Sequence, residues 1–200
     1  MPVIKHYDGI CHVYVDDECE SEMARKIVID SKTQKPSVCN ALETLLVSES
    51  IAESFLPLIA TDLAEKNVEL RCDEKSSTII GDSAIPATDE DWRTEYLDLI
   101  LSIKVVEGIQ EAIDHINEFG SHHSDCIVTE SAQHAEHFMK EIDSATVFWN
   151  VSTRFSDGEE FGFGAEIGIS TDKLHARGPM ALRELTSYKY LITGNGQTKA

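Results

Sequence analysis

The chain is predicted to be an α/β domain built on a largely parallel sheet with helices on both faces. Three observations lead there. From the start to residue 149, short apolar runs alternate with stretches of helical period. The runs are near-continuously apolar rather than alternating, as expected of strands buried on both faces. Two hundred residues with 42% hydrophobic content are enough for one buried core.

The elements follow in order. Cys11-His-Val-Tyr-Val15 is a strand. Glu20 to Gln34 is a helix with Met23, Ala24, Ile27 and Val28 on one stripe, stopped by Pro36. A strand over Glu43 to Val47 precedes a helix carrying Ile51, Phe55, Leu58 and Ile59, in which Pro57 must occupy the first turn or introduce a kink. Val68 to Arg71 and Leu99 to Val106 are strands. Ile109 to Phe119 is a helix with Ala112, Ile113 and Ile116 inward and Gly120 as its stop. Cys126 to Thr129 is a strand, Ser131 caps a helix bearing Ala135, Phe138, Met139 and Ile142, and Ala145 to Trp149 closes the series. A glycine-punctuated stretch then leads to a strand over Leu185 to Gly196, with Tyr188, Tyr190 and Ile192 on alternate positions. Such a strand has an edge needing cover.

Acidic residues outnumber basic ones by 36 to 17, a net charge of −19, which disfavours nucleic acid and anionic membrane as partners. Five basic against two acidic residues make the last thirty positions +3, leaving −22 on the first 170. A basic island of this kind suits a small anionic ligand or a solvated face. No apolar run reaches the length of a membrane span, and Met-Pro-Val-Ile-Lys-His lacks a signal-peptide pattern, so a cytoplasmic location is expected. Five cysteines without a C-x-x-C argue against a disulfide framework and a zinc ribbon. His134 and His137, at i, i+3, gain no third ligand from spacing, and no metal is expected.

Cys39 lies in Lys35-Pro-Ser-Val-Cys-Asn-Ala-Leu-Glu-Thr44, a connection between helix and strand rather than a core element. A cysteine in a tight turn beside free backbone N–H groups can have its thiolate stabilised, and those groups can cradle an oxyanion. Spacing alone leaves a small buried hydrophobe as the simpler role.

Pro36-Ser-Val-Cys-Asn-Ala-Leu-Glu-Thr-Leu-Leu-Val47 resembles the nucleophile segment of gamma-glutamyl phosphate reductases, of the aldehyde dehydrogenase superfamily. Gly9 to Val15, Thr94 to Asp98, Glu111 to Ile116, Asn150 to Phe155, Phe161 to Glu166 and Ser170 to Pro179 resemble the same family in its order. The resemblance spans nearly the whole chain but only about half of such an enzyme. It implies a catalytic domain over residues 1–184, an oligomerisation tail over 185–200, and a cofactor half outside the chain.

The implied reaction is NADPH-dependent reduction of L-glutamyl 5-phosphate to L-glutamate 5-semialdehyde through a thioester, a step of proline biosynthesis. Cys39 and the adjoining Asn40 are then catalytic, with the backbone N–H of Cys39 in the oxyanion site. Glu95 matches the glutamate that binds the nicotinamide ribose, although Leu-Asp-Leu replaces the Phe-Gly-Pro usual after it. Asn150, Ser152, Thr153, Gly164 and Ala165 line or anchor the substrate. Arg154 and Arg177 offer forked donors for phosphate or carboxylate, or tie the loops together. His123 fits the family pattern without a derived role, and His175 is expected to brace a loop. A homo-oligomer is implied, with glutamate 5-kinase as a possible functional partner. The alternatives are the C-terminal region of a bifunctional pyrroline-5-carboxylate synthase, an idle oligomerising fragment, or a general aldehyde oxidiser.

Overall fold

The structure, a computed structural model, describes residues 8–173 and 176–199; His175 lies outside the described residues, as does the amino-terminal hexapeptide. A seven-stranded sheet forms the centre. In chain order its strands are β1 (Cys11–Val15), β2 (Leu42–Ser48), β3 (Glu69–Cys72), β4 (Ala84–Pro86), β5 (Ile100–Val106), β6 (Ser124–Val128) and β7 (Thr146–Trp149). Their spatial order is β4-β3-β5-β2-β1-β6-β7, and every pairing is parallel. The chain runs from β1 toward β4, returns to β5, then crosses to the other side of β1 for β6 and β7.

That reversal distributes the helices, because right-handed crossovers running in opposite directions lie on opposite faces. Helices α1 (Ser21–Thr33), α2 (Glu49–Glu65) and α3 (Glu74–Ile80) cover one face, and α4 (Ile109–Phe119) and α5 (Ala132–Glu141) the other. Successive strand residues divide between two cores: Val13, Val15, Leu45 and Val47 join the first, Tyr14 and Leu46 the second. All of β1, β2 and β6 is buried, which explains their unbroken apolar character.

Several expectations change in detail. Glu20 is the N-cap of α1, its carboxylate accepting from the N–H groups of Glu22 and Met23. Pro57 sits in the interior of α2, on its exposed side, and Leu58 and Met139 are exposed while Ala52, Leu56, Ala135 and Phe138 fill the core. Gly120 does end α4, but with ordinary negative φ; the need for glycine is space, since a Cβ there would lie 2.5 Å from the Ile116 carbonyl. Helix α3 and strand β4 were not anticipated. After β7 come a 3₁₀ turn at Thr153–Phe155 and a small antiparallel hairpin, β8 (Gly168–Ser170) with β9 (Gly178–Met180).

The strand expected over Leu185 to Gly196 is not formed. Tyr188, Tyr190, Leu191 and Ile192 are all at least 80% exposed, and a strand needs a neighbour to complete its ladder. Among the described residues no helix is long and apolar enough to cross a membrane. All five cysteines are free.

Candidate active site

Three segments that precede strands meet at one end of the sheet. The turn carrying Cys39 precedes β2, Gly9 precedes β1, and Glu95 precedes β5; since these strands are parallel, all three lie at their amino ends. The Ala41 N–H donates to the Val38 carbonyl at 3.0 Å, placing Cys39 and Asn40 at the corners of a tight turn.

Cys39 is half-buried and opens into a cleft of about 450 Å³ lined also by Lys35, Asn40, Glu95, Arg154, Asp157 and Glu166. Its carbonyl accepts the Cys11 thiol at 3.2 Å, and that thiol lies 3.6 Å from Nδ1 of the buried His123. His123 thus supports the reverse side of the turn. On the other side Gly9 packs so closely that a Cβ would fall 1.9 Å from the Cys39 carbonyl oxygen. Glu95 fixes that approach by accepting the Gly9 N–H at 2.9 Å.

The electrostatics differ from the expected activated thiolate. Burial, with Glu166 and Glu95 facing the sulfur, pushes the Cys39 thiol up to about 11. The N–H of Cys39 and the Arg154 guanidinium oppose this without overcoming it. At neutral pH the thiol of the chain alone is therefore protonated.

Most of the remaining candidates hold the site together rather than enter it. Asn40 is buried, and its amide donates to the Ser156 carbonyl at 3.0 Å and the Arg154 carbonyl at 3.4 Å. Thr153 is fully buried, its hydroxyl donating to the Asn40 carbonyl at 2.8 Å, and Ser152 is buried against Ser31 with 3.1 Å between hydroxyls. Both are committed to joining the 3₁₀ turn to α1 and the Cys39 turn, so neither hydroxyl is presented to the cleft. Asn150, at φ 56°, closes both amide groups on the backbone of Thr129, at 2.9 Å each.

Arg154 does line the cleft, held by a 2.8 Å bond from Nε to Gln34. Arg177 does not: its Nη2 donates to Asp143 at 2.9 Å, and Lys173 pairs with the same carboxylate. Arg177 thereby ties its segment to the turn after α5. Gly164 and Ala165 are exposed and outside the cleft, whereas their neighbour Glu166 lines it and accepts the Gly158 N–H at 2.8 Å.

The resemblance pointed to the loop ending at Glu166 but to Gly164 and Ala165 as its anchors, and sequence reasoning missed Asp157 in the cleft and the buried Lys32–Glu43 ion pair beneath the turn. Lys32 had a signal: it continues the stripe of Ala24 and Val28 at i+4, where a charge must find a partner. His134 is not merely solvated; its Nδ1 meets Asp16 at 2.7 Å. Asp17 brings a third donor atom within 4.8 Å of those two, but Asp16 already accepts Thr129 and Tyr14 hydroxyls.

No protein-family profile matches the chain. Its fold matches an acetylating aldehyde dehydrogenase from Geobacillus thermoglucosidasius at a TM-score of 0.60 over 77% of the chain, with 19% identity. With its parallel sheet and thiol-bearing turn, the chain is an α/β protein of the aldehyde dehydrogenase-like fold. Within that class its likeness is to gamma-glutamyl phosphate reductases. The one from Ruminiclostridium cellulolyticum is 58% identical over 197 residues, covering 98% of this chain and 45% of the relative. The crystal structure of the one from Thermotoga maritima gives a TM-score of 0.94 at 50% identity, over 100% of this chain and 48% of that one. The chain thus spans about half the length of the curated relatives it matches.

Proposed function

We propose that the chain is the thiol-bearing part of an enzyme that reduces L-glutamyl 5-phosphate to L-glutamate 5-semialdehyde, with Cys39 as nucleophile. The observation that carries this is Cys39 at the mouth of a cleft, with Glu95 and Arg154 beside it. The likeness to gamma-glutamyl phosphate reductases supplies the substrate.

The chemistry asks the Cys39 sulfur to give up its proton and attack the acyl carbon. The C–O bond to phosphate breaks, phosphate leaves with the electron pair, and a thioester to Cys39 remains. A reduced nicotinamide, taken as NADPH, supplies a hydride to that carbon when bound. Collapse of the thiohemiacetal then releases the aldehyde and returns the sulfur. Glu95 suits the cofactor role because one of its oxygens is held by Gly9 while the side chain still borders the cleft. Arg154 and Lys35 supply positive charge where the substrate is anionic and the thiolate forms. Since the resting thiol sits at about 11, the bound assembly must lower it, and displacement of Glu166 or Glu95 from the sulfur is one route within this chain.

The free cysteines fit a reducing compartment, and we place the protein in the cytoplasm. The exposed apolar tail at 185–192 suits a subunit contact, hence a homo-oligomer, and a glutamate 5-kinase is the kind of enzyme that would supply the labile substrate. The test is Cys39→Ser in the complete enzyme. Reductase activity should fall on the order of a thousand-fold or more. Activity within a few fold of the unsubstituted protein would remove Cys39 from the mechanism.

A further inference from the structure

Lys32 and Glu43 are both fully buried, with 2.6 Å between Nζ and Oε2. Eleven positions apart, they close the base of the loop whose corner is Cys39. The second carboxylate oxygen of Glu43 accepts the N–H of Leu97 at 3.2 Å. Leu97 stands at φ 54°, a left-handed conformation that leucine adopts only when its surroundings impose it. Glu95, two residues earlier, holds Gly9, and Gly9 in turn abuts the Cys39 carbonyl. A single carboxylate therefore joins the end of α1, the start of β2 and the loop that aims Glu95. Neither Lys32 nor Glu43 lines the cleft.

A buried ion pair is weak as a stabiliser, because desolvation offsets its attraction and well-packed apolar residues often replace it at no cost. Its geometry here accomplishes something an apolar pair would not, namely directional bonds to two segments at once. We propose that the Lys32–Glu43 pair is a positioning device that holds the Cys39 turn and the Glu95 loop at a set separation, and so governs the reactivity of the thiol without entering the cleft. Its catalytic consequence rests on Cys39 being the reacting group, but the device itself does not.

The charges acting most on Cys39 are Glu166 and Glu95, with Arg154 opposing them; Lys35 and Asp157 line the same cleft, and the Cys11 thiol meets the turn from behind. Releasing the Glu95 loop removes part of the negative field on the sulfur. The experiment is iodoacetamide labelling of the full 200-residue chain across pH, resolved by peptide mass spectrometry. Cys19, also partly exposed and facing Asp16 at the opposite end of the strands, serves as internal reference. In Lys32→Met/Glu43→Met, the Cys39-to-Cys19 labelling ratio should rise about five-fold and the pH midpoint for Cys39 should fall. A general loosening of the fold would move both cysteines together. A ratio and midpoint equal to those of the unsubstituted chain, in a variant with unchanged circular dichroism, overturn the proposal. If the double variant fails to fold, Glu43→Gln decides. This shape-preserving change should raise the ratio about two-fold, and an unchanged ratio refutes the clamp. Labelling needs no cofactor or substrate, so these outcomes are separate from whether the assembled protein is a reductase.

Discussion

Gly9 shows how little room surrounds the Cys39 turn. A methyl group there meets the Cys39 backbone at 1.9 Å, and that backbone is held from behind by the Cys11 thiol. Gly9→Ala must therefore shift the turn itself. Under the proposed mechanism Cys39 is the reacting group, and because displacement of a reacting group by about 1 Å costs roughly a hundred-fold, activity of the assembled enzyme should fall by that order in an assay at saturating substrate. His115 makes a second prediction. It is buried among His12, Trp92 and Phe119, with neither ring nitrogen hydrogen-bonded among the described residues. Burial lowers it from 6.5 to about 2, so the folded chain excludes a proton that the unfolded chain binds. Stability accordingly declines as pH falls below about 6.5 toward 2. His115→Leu should remove that part of the acid sensitivity and add about 1 kcal/mol at neutral pH, by relieving unpaired buried nitrogens. Urea titrations at pH 7 and pH 5 compare the two chains; parallel losses with pH would contradict the assignment.

At the scale of elements, legibility tracked length and periodicity. Helix α4 is bounded where its pattern predicts, and its stripe of Ala112, Ile113 and Ile116 is buried. Helix α3 escaped because it is seven residues long and rich in Ser, Thr and Ile, which do not favour helix in isolation. Its start is secured by Asp73, which accepts the Ser76 N–H at 2.9 Å and also reaches the N–H of Val105 in β5 at 3.4 Å. Asp73→Ala should lower stability by about 1 kcal/mol, readable as a shift in the urea midpoint. The stretch from Asn150 to Phe155 was expected as a substrate loop because the resemblance points there. In the fold, the side chains of Asn150, Ser152 and Thr153 are spent on Thr129, Ser31 and Asn40, pairings between residues up to 121 positions apart that no local pattern reveals.

For the molecule as a whole, the tail tests how much of the chain belongs to one folded unit. Residues 185–199 form no strand and are mostly exposed. Deleting residues 185–200 should leave the melting temperature within a few degrees while reducing self-association, as measured by sedimentation. A large loss of stability would show instead that the tail packs on its own subunit. Alternation of strand and helix, the continuous apolar strands, the turn around Cys39 and its likeness to gamma-glutamyl phosphate reductases are written in neighbouring residues, and the sequence by itself determined them. The order β4-β3-β5-β2-β1-β6-β7, the convergence of Gly9, Cys39 and Glu95 at the amino ends of the strands, and the burial and acidic neighbours that raise the Cys39 thiol were decided only by tertiary structure. The reason is physical: secondary structure follows from contacts a few residues apart, whereas burial, strand order and the charge facing a sulfur depend on segments brought together from across the chain.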